Sequence, residues 1–396
     1  MKQFSLLSVL LMVLAALPLH ALPTDSVAAP ADPMESVEIG LLTCSPHDEV
    51  YSLYGHTALR CRNVRSGEDL VFNYGIYNFK KPHFVLRFVF GLTDYELGVA
   101  PTKPFCKYYE QWGSQVTEQV LDLTSAEKQR LIQALRTNYL PQNRVYRYNF
   151  FYDNCSTRPR DMLERCLDGE VRYAPRPDYA LTFRQMAGLC TEGSPWATFG
   201  NDILLGVKAD LATTQREQQF LPANLRHDID RATVVRGGQS RPLVKERRLL
   251  VPAGIQTTSS AFPLRPMVCA LLLLAVSLAL FAYEQLRRTV VRWFDVLLMV
   301  AAGLAGCILF VMLFSQHPTT STNLQILLLN PLPLFYLPSV LKRKGNTRWW
   351  TVLIMMIALF AIGRVFQDYA EGMMILALCL LIRYCINIKL RNNKIT

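Results

Sequence analysis

The sequence predicts two unlike parts in series, an α+β domain followed by an α-helical transmembrane bundle. Three observations predict it. Of the 396 residues, 51% are hydrophobic and 18% charged, which excludes both a disordered chain and a wholly soluble one. From Pro266 onward, apolar runs alternate with short polar loops. Before Pro266, short strand-like runs and amphipathic segments carry nearly balanced charge. From Leu264 to the end there are 13 Lys/Arg against 4 Asp/Glu, whereas Gln3–Pro263 holds 28 against 27. The net charge of +11 therefore belongs mostly to the membrane part, and no nucleic-acid partner is expected.

The N-terminus places Met1-Lys2 before an apolar run from Phe4 to Leu19 and small residues ending at Ala21. It reads as a secretory signal peptide over residues 1–21, the alternative being a first transmembrane anchor. No Cys follows the expected cut, so the chain is not itself expected to be a lipoprotein. Residues 22–225 form the expected exported domain. Val37–Cys44 reads as a strand, and Tyr54–Arg60 and Leu70–Tyr77 as a strand pair turning at Ser66–Asp69. Thr124–Leu140 reads as a helix with a Thr124/Glu127 capping box and Leu131, Leu135 and Tyr139 on one face. Val145–Phe151 is strand-like and aromatic. Pro159 fits only the first turn of a helix, where its missing N–H has no intrahelical partner. A helix is therefore expected to open at Cys155 and run to about Cys166, with Gly169 as its stop. Residues 226–263, rich in Arg, Gly, Ser and Pro, read as a partly extended connector to the membrane.

Residues 264–396 carry about five expected spans, over 266–283, 293–314, 324–341, 349–367 and 372–386. The third contains Pro331, Pro333 and Pro338 and should kink or break; the fifth is short and carries Arg383. Arg287, Arg288 and Arg292 follow the first span, Lys342, Arg343, Lys344 and Arg348 the third, and Lys389, Arg391 and Lys394 the last. The other two loops, Ser315–Asn323 and Gln367–Gly372, have no Lys or Arg. The positive-inside rule then puts the C-terminus in the cytoplasm and the N-terminal domain on the outer, periplasmic face of an inner membrane. Arg364 and Arg383, in or near spans, mark a function, a buried pair or snorkelling side chains. Trp349-Trp350 reads as an interfacial anchor.

Six cysteines lie in the exported part: Cys44, Cys61, Cys106, Cys155, Cys166 and Cys190. An oxidising compartment permits disulfides, yet a domain of this size needs none. Cys44 and Cys61 fit plain core positions on strands; Cys166 inside the helix, and Cys106 and Cys190 in loop-like stretches, fit core or disulfide positions. Cys155 differs. A thiol at a helix N-terminus feels the positive end of the helix dipole, which favours the thiolate. His56, among small neighbours in Tyr54-Gly55-His56-Thr57-Ala58, is the candidate base, and Asn73 on the paired strand the candidate for holding its tautomer. Nucleophile, base and orienter make a thiol acyl-transfer set. Each has a plainer reading as a structural residue. Tyr54, Tyr74 and Asn154 around these groups, with Arg158 and His317, are the expected substrate contacts. Arg158 or Arg160 would meet a lipid phosphate, the alternative being salt bridges; His317, at the outer end of the second span, is a headgroup contact or an interfacial loop residue. No ligand-spaced metal cluster, phosphate loop or dinucleotide fingerprint occurs, and no cofactor or metal is expected.

A His on an early strand followed far downstream by Asn-Cys opening a helix resembles the circularly permuted papain-like, NlpC/P60-type thiol enzymes. More closely, Tyr51-Ser52-Leu53-Tyr54-Gly55-His56-Thr57-Ala58-Leu59-Arg60, Phe72-Asn73-Tyr74-Gly75-Ile76-Tyr77-Asn78-Phe79 and Tyr152-Asp153-Asn154-Cys155-Ser156-Thr157-Arg158 resemble the Lnb family, the lipoprotein N-acyltransferases of Bacteroidota. The order signal peptide, soluble domain, multi-span tail is also similar, as is the stretch Gln316–Leu324 with Asn330-Pro331-Leu332. The resemblance implies a permuted papain-like domain and an acyl thioester on Cys155. The acyl chain would come from a membrane phospholipid or a diacylglyceryl-lipoprotein, and the α-amino group of a lipoprotein's lipidated Cys would accept it. The resemblance does not assign the third catalytic place, for which Asn73 is the candidate. Two other readings stay open: a membrane-tethered cell-wall peptidase or amidase, and a non-catalytic scaffold with Cys155 in a disulfide.

Overall fold

The computed structural model describes residues 32–77, 82–176, 180–256, 262–342 and 347–392. The expected signal peptide lies outside them. The strands, in chain order, are β1 (Val37–Cys44), β2 (His56–Asn63), β3 (Asp69–Ile76), β4 (Asp94–Pro101), β5 (Val116–Leu121), β6 (Val145–Arg147), β7 (Glu170–Arg172), β8 (Thr233–Arg236), β9 (Gln239–Pro242) and β10 (Val244–Val251). An antiparallel sheet runs β10-β5-β1-β2-β3-β4-β6, and β7-β8-β9 form a small second one. The N-terminal domain's helices are α1 (Phe84–Val89), α2 (Thr102–Gln111), α3 (Ser125–Tyr139), α4 (Thr157–Cys166), α5 (Phe183–Thr191), α6 (Pro195–Leu204), α7 (Gln215–Gln218) and α8 (Pro222–Asp230). The class is α+β.

The burial pattern explains why β1 is apolar almost throughout. Strand side chains alternate between faces, and both faces of β1 are covered. Ile39 and Leu41 join Leu131 and Leu135 of α3, Leu163 of α4 and Leu225 of α8 in one core. Leu42 and Cys44 join Phe105 and Tyr109 of α2 in another. The α3 capping box forms as expected, while Tyr139 at the helix end is exposed.

The sequence reading needs three corrections in this domain. Residues 226–263 are not simply a connector: they contribute the end of α8, all of β8 and β9, and β10, which pairs with β5 from Val244↔Leu121 to Val251↔Val116. The four consecutive charged residues Lys245–Arg248 of β10 suit an exposed edge strand. The strand expected over Val145–Phe151 stops at Arg147, because the chain turns back on itself at the Asn149↔Asp153 bridge. Cys106 and Cys190 lie in helices α2 and α5, not loops, and all ten cysteines are free thiols.

The membrane part contains α9 (Pro266–Arg287), α10 (Arg292–Met312), α11 (Leu332–Leu341), α12 (Thr347–Gly363) and α13 (Met373–Asn392). Among the described residues, four segments are long and apolar enough to cross a membrane: α9, α10, Leu324–Leu341 and Met373–Leu390; α12 is shorter. The third is broken, as its prolines predict, into a 3-10 turn at Leu324–Leu327 and α11. The fifth expected run is not short, since α13 extends to Asn392. The two loops without Lys or Arg both meet the N-terminal domain. Gly206 N–H donates to Thr319 O at 2.8 Å, and Gln367 Nε2 donates to Leu205 O at 2.9 Å. Trp350 is fully buried against Tyr336 and Tyr384, so only Trp349 is exposed enough for an interfacial anchor.

Arg383 does not snorkel. It is 1% exposed and forms ion pairs with Glu284 of α9 and Asp295 of α10, both at 2.7 Å, while Asn387 donates to the second Asp295 oxygen at 2.8 Å. Removing one partner of a buried ionic group strands the others and costs about 3–5 kcal/mol. Arg383→Leu should therefore lower the melting temperature of the detergent-purified protein sharply. Adding Glu284→Leu and Asp295→Leu to it should recover most of the loss. An unchanged melting temperature for the single variant would rule out this cluster as the clamp of α9, α10 and α13.

Candidate active site

His56 is the first residue of β2, opposite Cys44 of β1. Cys155 sits just before α4, whose N-cap is Ser156. Two local devices join them. Asn154 is buried and uses its whole amide on backbone: Nδ2 donates to Phe150 O and Phe220 O, both at 2.9 Å, and Oδ1 accepts from the N–H groups of Ser156 and Thr157 at 2.8 and 3.0 Å. The Thr57 and Ser156 hydroxyls, each one residue beyond a reactive side chain, hydrogen-bond at 3.0 Å in the interior.

His56 Nε2 lies 2.6 Å from Asn73 Oδ1. That bond keeps the proton on Nε2 and leaves the other ring nitrogen for the Cys155 sulfur, with which the ring is hydrogen-bonded. Tyr109 stacks nearly parallel to the imidazole with centroids 6.5 Å apart. Gly75 lies beside the pair with φ +108°, and a Cβ there would come within 3.5 Å of His56 Cε1 and 3.8 Å of Cys155 Cβ. A glycine thus leaves that face of the thiol open.

Burial alone would raise the Cys155 thiol, but the His56 charge and hydrogen bond, aided by the Thr57 N–H and Ser156, outweigh it and hold the thiol below its ordinary range. Burial likewise opposes a charged His56, and the Cys155 thiolate with the bonds to Cys155 and Asn73 raises it nonetheless. Each group therefore favours the charged form of the other. The other cysteines show what the imidazole contributes: burial pushes Cys61 up to about 12 and Cys190 up to about 11.

The pair opens into a cavity of about 780 Å³ walled largely by aromatic and aliphatic side chains, among them Tyr95, Tyr148, Phe150, Leu204 and Phe220. Ile308 and Met312 of α10 and His317 of the following loop belong to the same wall. No Lys, Arg, Asp or Glu is among the described lining residues.

The structure brings Cys155, His56 and Asn73 together. Tyr54 and His317 line the cavity, the Tyr54 hydroxyl accepting from Asn201 Nδ2 at 2.6 Å. Asn154 lines it too, although its amide is spent on backbone. Two expected substrate contacts, Tyr74 and Arg158, are corrected. Tyr74 is a core residue, its hydroxyl donating to Asn138 Oδ1 at 2.6 Å. Arg158 pairs with Asp153 at 2.6 Å and covers the Tyr146 ring, and Arg160 is buried against Asp161 and the Arg216 carbonyl; neither lines the cavity. Sequence reasoning missed the aromatic wall. Its signal was the density of Tyr and Phe around Tyr108-Tyr109 and from Tyr146 to Tyr152.

Two family models match the chain, the Lnb N-terminal periplasmic domain over residues 28–186 and the Lnb transmembrane domain over residues 256–395. The chain belongs to the Lnb family. It is accordingly a membrane protein with a periplasmic N-terminal domain, and membership in Lnb suggests a role in lipoprotein biogenesis. No curated protein and no solved structure matches it.

The coupling has a measurable consequence. Because the Cys155 thiol is lowered and His56 raised, the midpoint of Cys155 alkylation by iodoacetamide against pH should lie below that of an ordinary cysteine. In His56→Ala the midpoint should move up, above that of an ordinary cysteine. The same midpoint in both proteins would mean that the imidazole does not hold the thiolate.

Proposed function

We propose that this Lnb protein is a lipoprotein N-acyltransferase working through a thioester on Cys155. One observation carries the reading: the Cys155–His56–Asn73 group opens into an uncharged, apolar cavity whose wall includes the membrane helix α10. An acyl chain needs such a cavity. A cell-wall peptide, polar and water-borne, does not.

In the first half-reaction the Cys155 thiolate attacks an acyl-ester carbonyl of a membrane lipid. The C–O bond breaks, and the leaving alkoxide takes its proton from the His56 imidazolium. In the second, the α-amino group of a lipoprotein's lipidated N-terminal Cys attacks the thioester. His56 accepts the amine proton, the C–S bond breaks, and the thiolate is restored with an amide as product. The amine must be neutral to attack. Its ordinary pKa is about 8, and a wall without carboxylates disfavours the ammonium form further. Asn73 orients the imidazole through both steps.

The order His before Cys fits the permuted papain-like arrangement, in which we read the periplasmic domain. Residues 1–21 are its proposed signal peptide. The docking on that domain of the two loops that lack Lys and Arg supports an inner-membrane protein with a cytoplasmic C-terminus.

The test is the N-terminal Cys of a reporter lipoprotein, read by mass spectrometry in cells lacking their own N-acyltransferase. The wild-type chain should add one acyl group on nitrogen and Cys155→Ser none. His56→Ala should lose about 10²–10⁴-fold in rate, and Asn73→Ala less. N-acylation by Cys155→Ser would make the thiol structural. No N-acylation by folded, inserted wild type would overturn the reading and move the test to muropeptides.

A further inference from the structure

We propose that the acyl chain enters the cavity sideways from the outer leaflet, through a portal between α1 and the outer end of α10. The inference rests on the acyl-transfer reading only for the fate of the chain once inside.

Val50, Tyr51, Ile76 and Tyr108 are exposed lining residues within the periplasmic domain; two further side chains that face both ways mark the opening at the membrane. Ile308 is 54% exposed and also lines the cavity. It lies four residues before Met312, the end of α10, and so about 6 Å inside that end at 1.5 Å per residue. An exposed residue at that depth in a membrane helix faces lipid. Phe88 of α1 is 43% exposed and lines the same cavity. One helix from the membrane part and one from the periplasmic domain thus form two jambs.

α1 is fixed at membrane level. Gln316 N–H, just beyond α10, donates to Phe90 O at 3.0 Å. Gly91, with φ +68°, lies so close that a Cβ would come within 3.1 Å of the His317 N. The Phe88 ring centroid is 6.1 Å from that of His317. Further apolar side chains are exposed at this level, Leu86 of α1 at 56% and, on another side of the outer end of α10, Phe310 and Phe314 at 47% and 65%. In water such exposure would be costly; in a leaflet it is solvated by lipid tails.

The occupant is the acyl chain of a leaflet diacylglyceryl lipid. No charged side chain among the described lining residues is available to hold a phosphate. The polar groups on the wall from this loop are the neutral Thr319 and Thr320 and His317, which burial shifts toward its uncharged form. A chain sliding from leaflet to cavity never leaves an apolar medium, so it avoids a cost of crossing water that grows with its length.

The experiment uses full-length Cys155→Ser protein, which cannot form the thioester, in phosphatidylethanolamine vesicles. The probe carries a diazirine at the end of one acyl chain. It is a phospholipid in one arm and a diacylglyceryl lipopeptide in the other. After irradiation, cross-links are mapped by mass spectrometry. Cross-links inside the cavity, at Tyr148–Phe151, are expected from at least one probe. Narrowing the portal with Ile308→Trp or Phe88→Trp should reduce them at least tenfold, while cross-links at the outward-facing Phe314 persist and report correct insertion. No interior cross-links from either probe, or an undiminished yield in both narrowed variants, would overturn the portal. Interior cross-links without a Cys155 thioester in the wild type would leave the portal standing and remove the acyl-transfer reading.

Discussion

The site depends on one hydrogen bond between hydroxyls 99 residues apart, Thr57 to Ser156. It ties the strand that carries the imidazole to the turn that carries the thiol. Alone it is worth about 1 kcal/mol, too little to fold the domain. Its effect is positional, because both hydroxyls are buried in the interior. The Asn154 amide completes the constraint by fixing the turn's backbone on both sides of Cys155. A reactive pair on strand and loop is thereby held with the rigidity of a core.

That rigidity matters because the surroundings oppose charge. Cys155 and His56 are partly withdrawn from water, where a lone thiolate or imidazolium is unfavourable. Each is stabilised by the other. Cys44, buried and facing His56 across the β1–β2 register, has no imidazole partner and is pushed well above its ordinary value. Burial thus silences one thiol and, with a histidine beside it, activates another. The same dry wall suits an acyl chain.

The membrane part completes the site rather than merely tethering it. The last carbonyls of α6 lack helical partners, as at any helix end. Amides from the membrane loops satisfy them: Gln325 Nε2 donates to Asp202 O and Asn323 Nδ2 to Ile203 O, both at 2.8 Å, and Gln367 Nε2 to Leu205 O at 2.9 Å. Leu204 and Leu205 line the cavity next to that junction. Docking and cavity closure are therefore one event.

Much of this was legible in the sequence, for local reasons. A capping box, a proline confined to a helix's first turn, apolar runs of bilayer length and the segregation of Lys and Arg each act within a few residues. They gave β1, α3, the helix after Cys155 and the membrane helices. The Gly-His and Asn-Cys settings marked His56 and Cys155. What depends on distant partners was not legible. Nothing local distinguishes Arg158, bound to Asp153, from an arginine awaiting a phosphate, or Asn154, spent on backbone, from an asparagine awaiting substrate. Arg383 reads equally as a functional, paired or snorkelling charge until Glu284 and Asp295 are brought beside it, and residues 226–263 read as a connector until β5 offers an edge. The sequence by itself determined the two-part architecture, its orientation signals and the reactive residue types. Only the tertiary structure decided which polar groups are consumed by neighbours and which face the cavity, because hydrogen-bond satisfaction in the interior is set by packing across the chain.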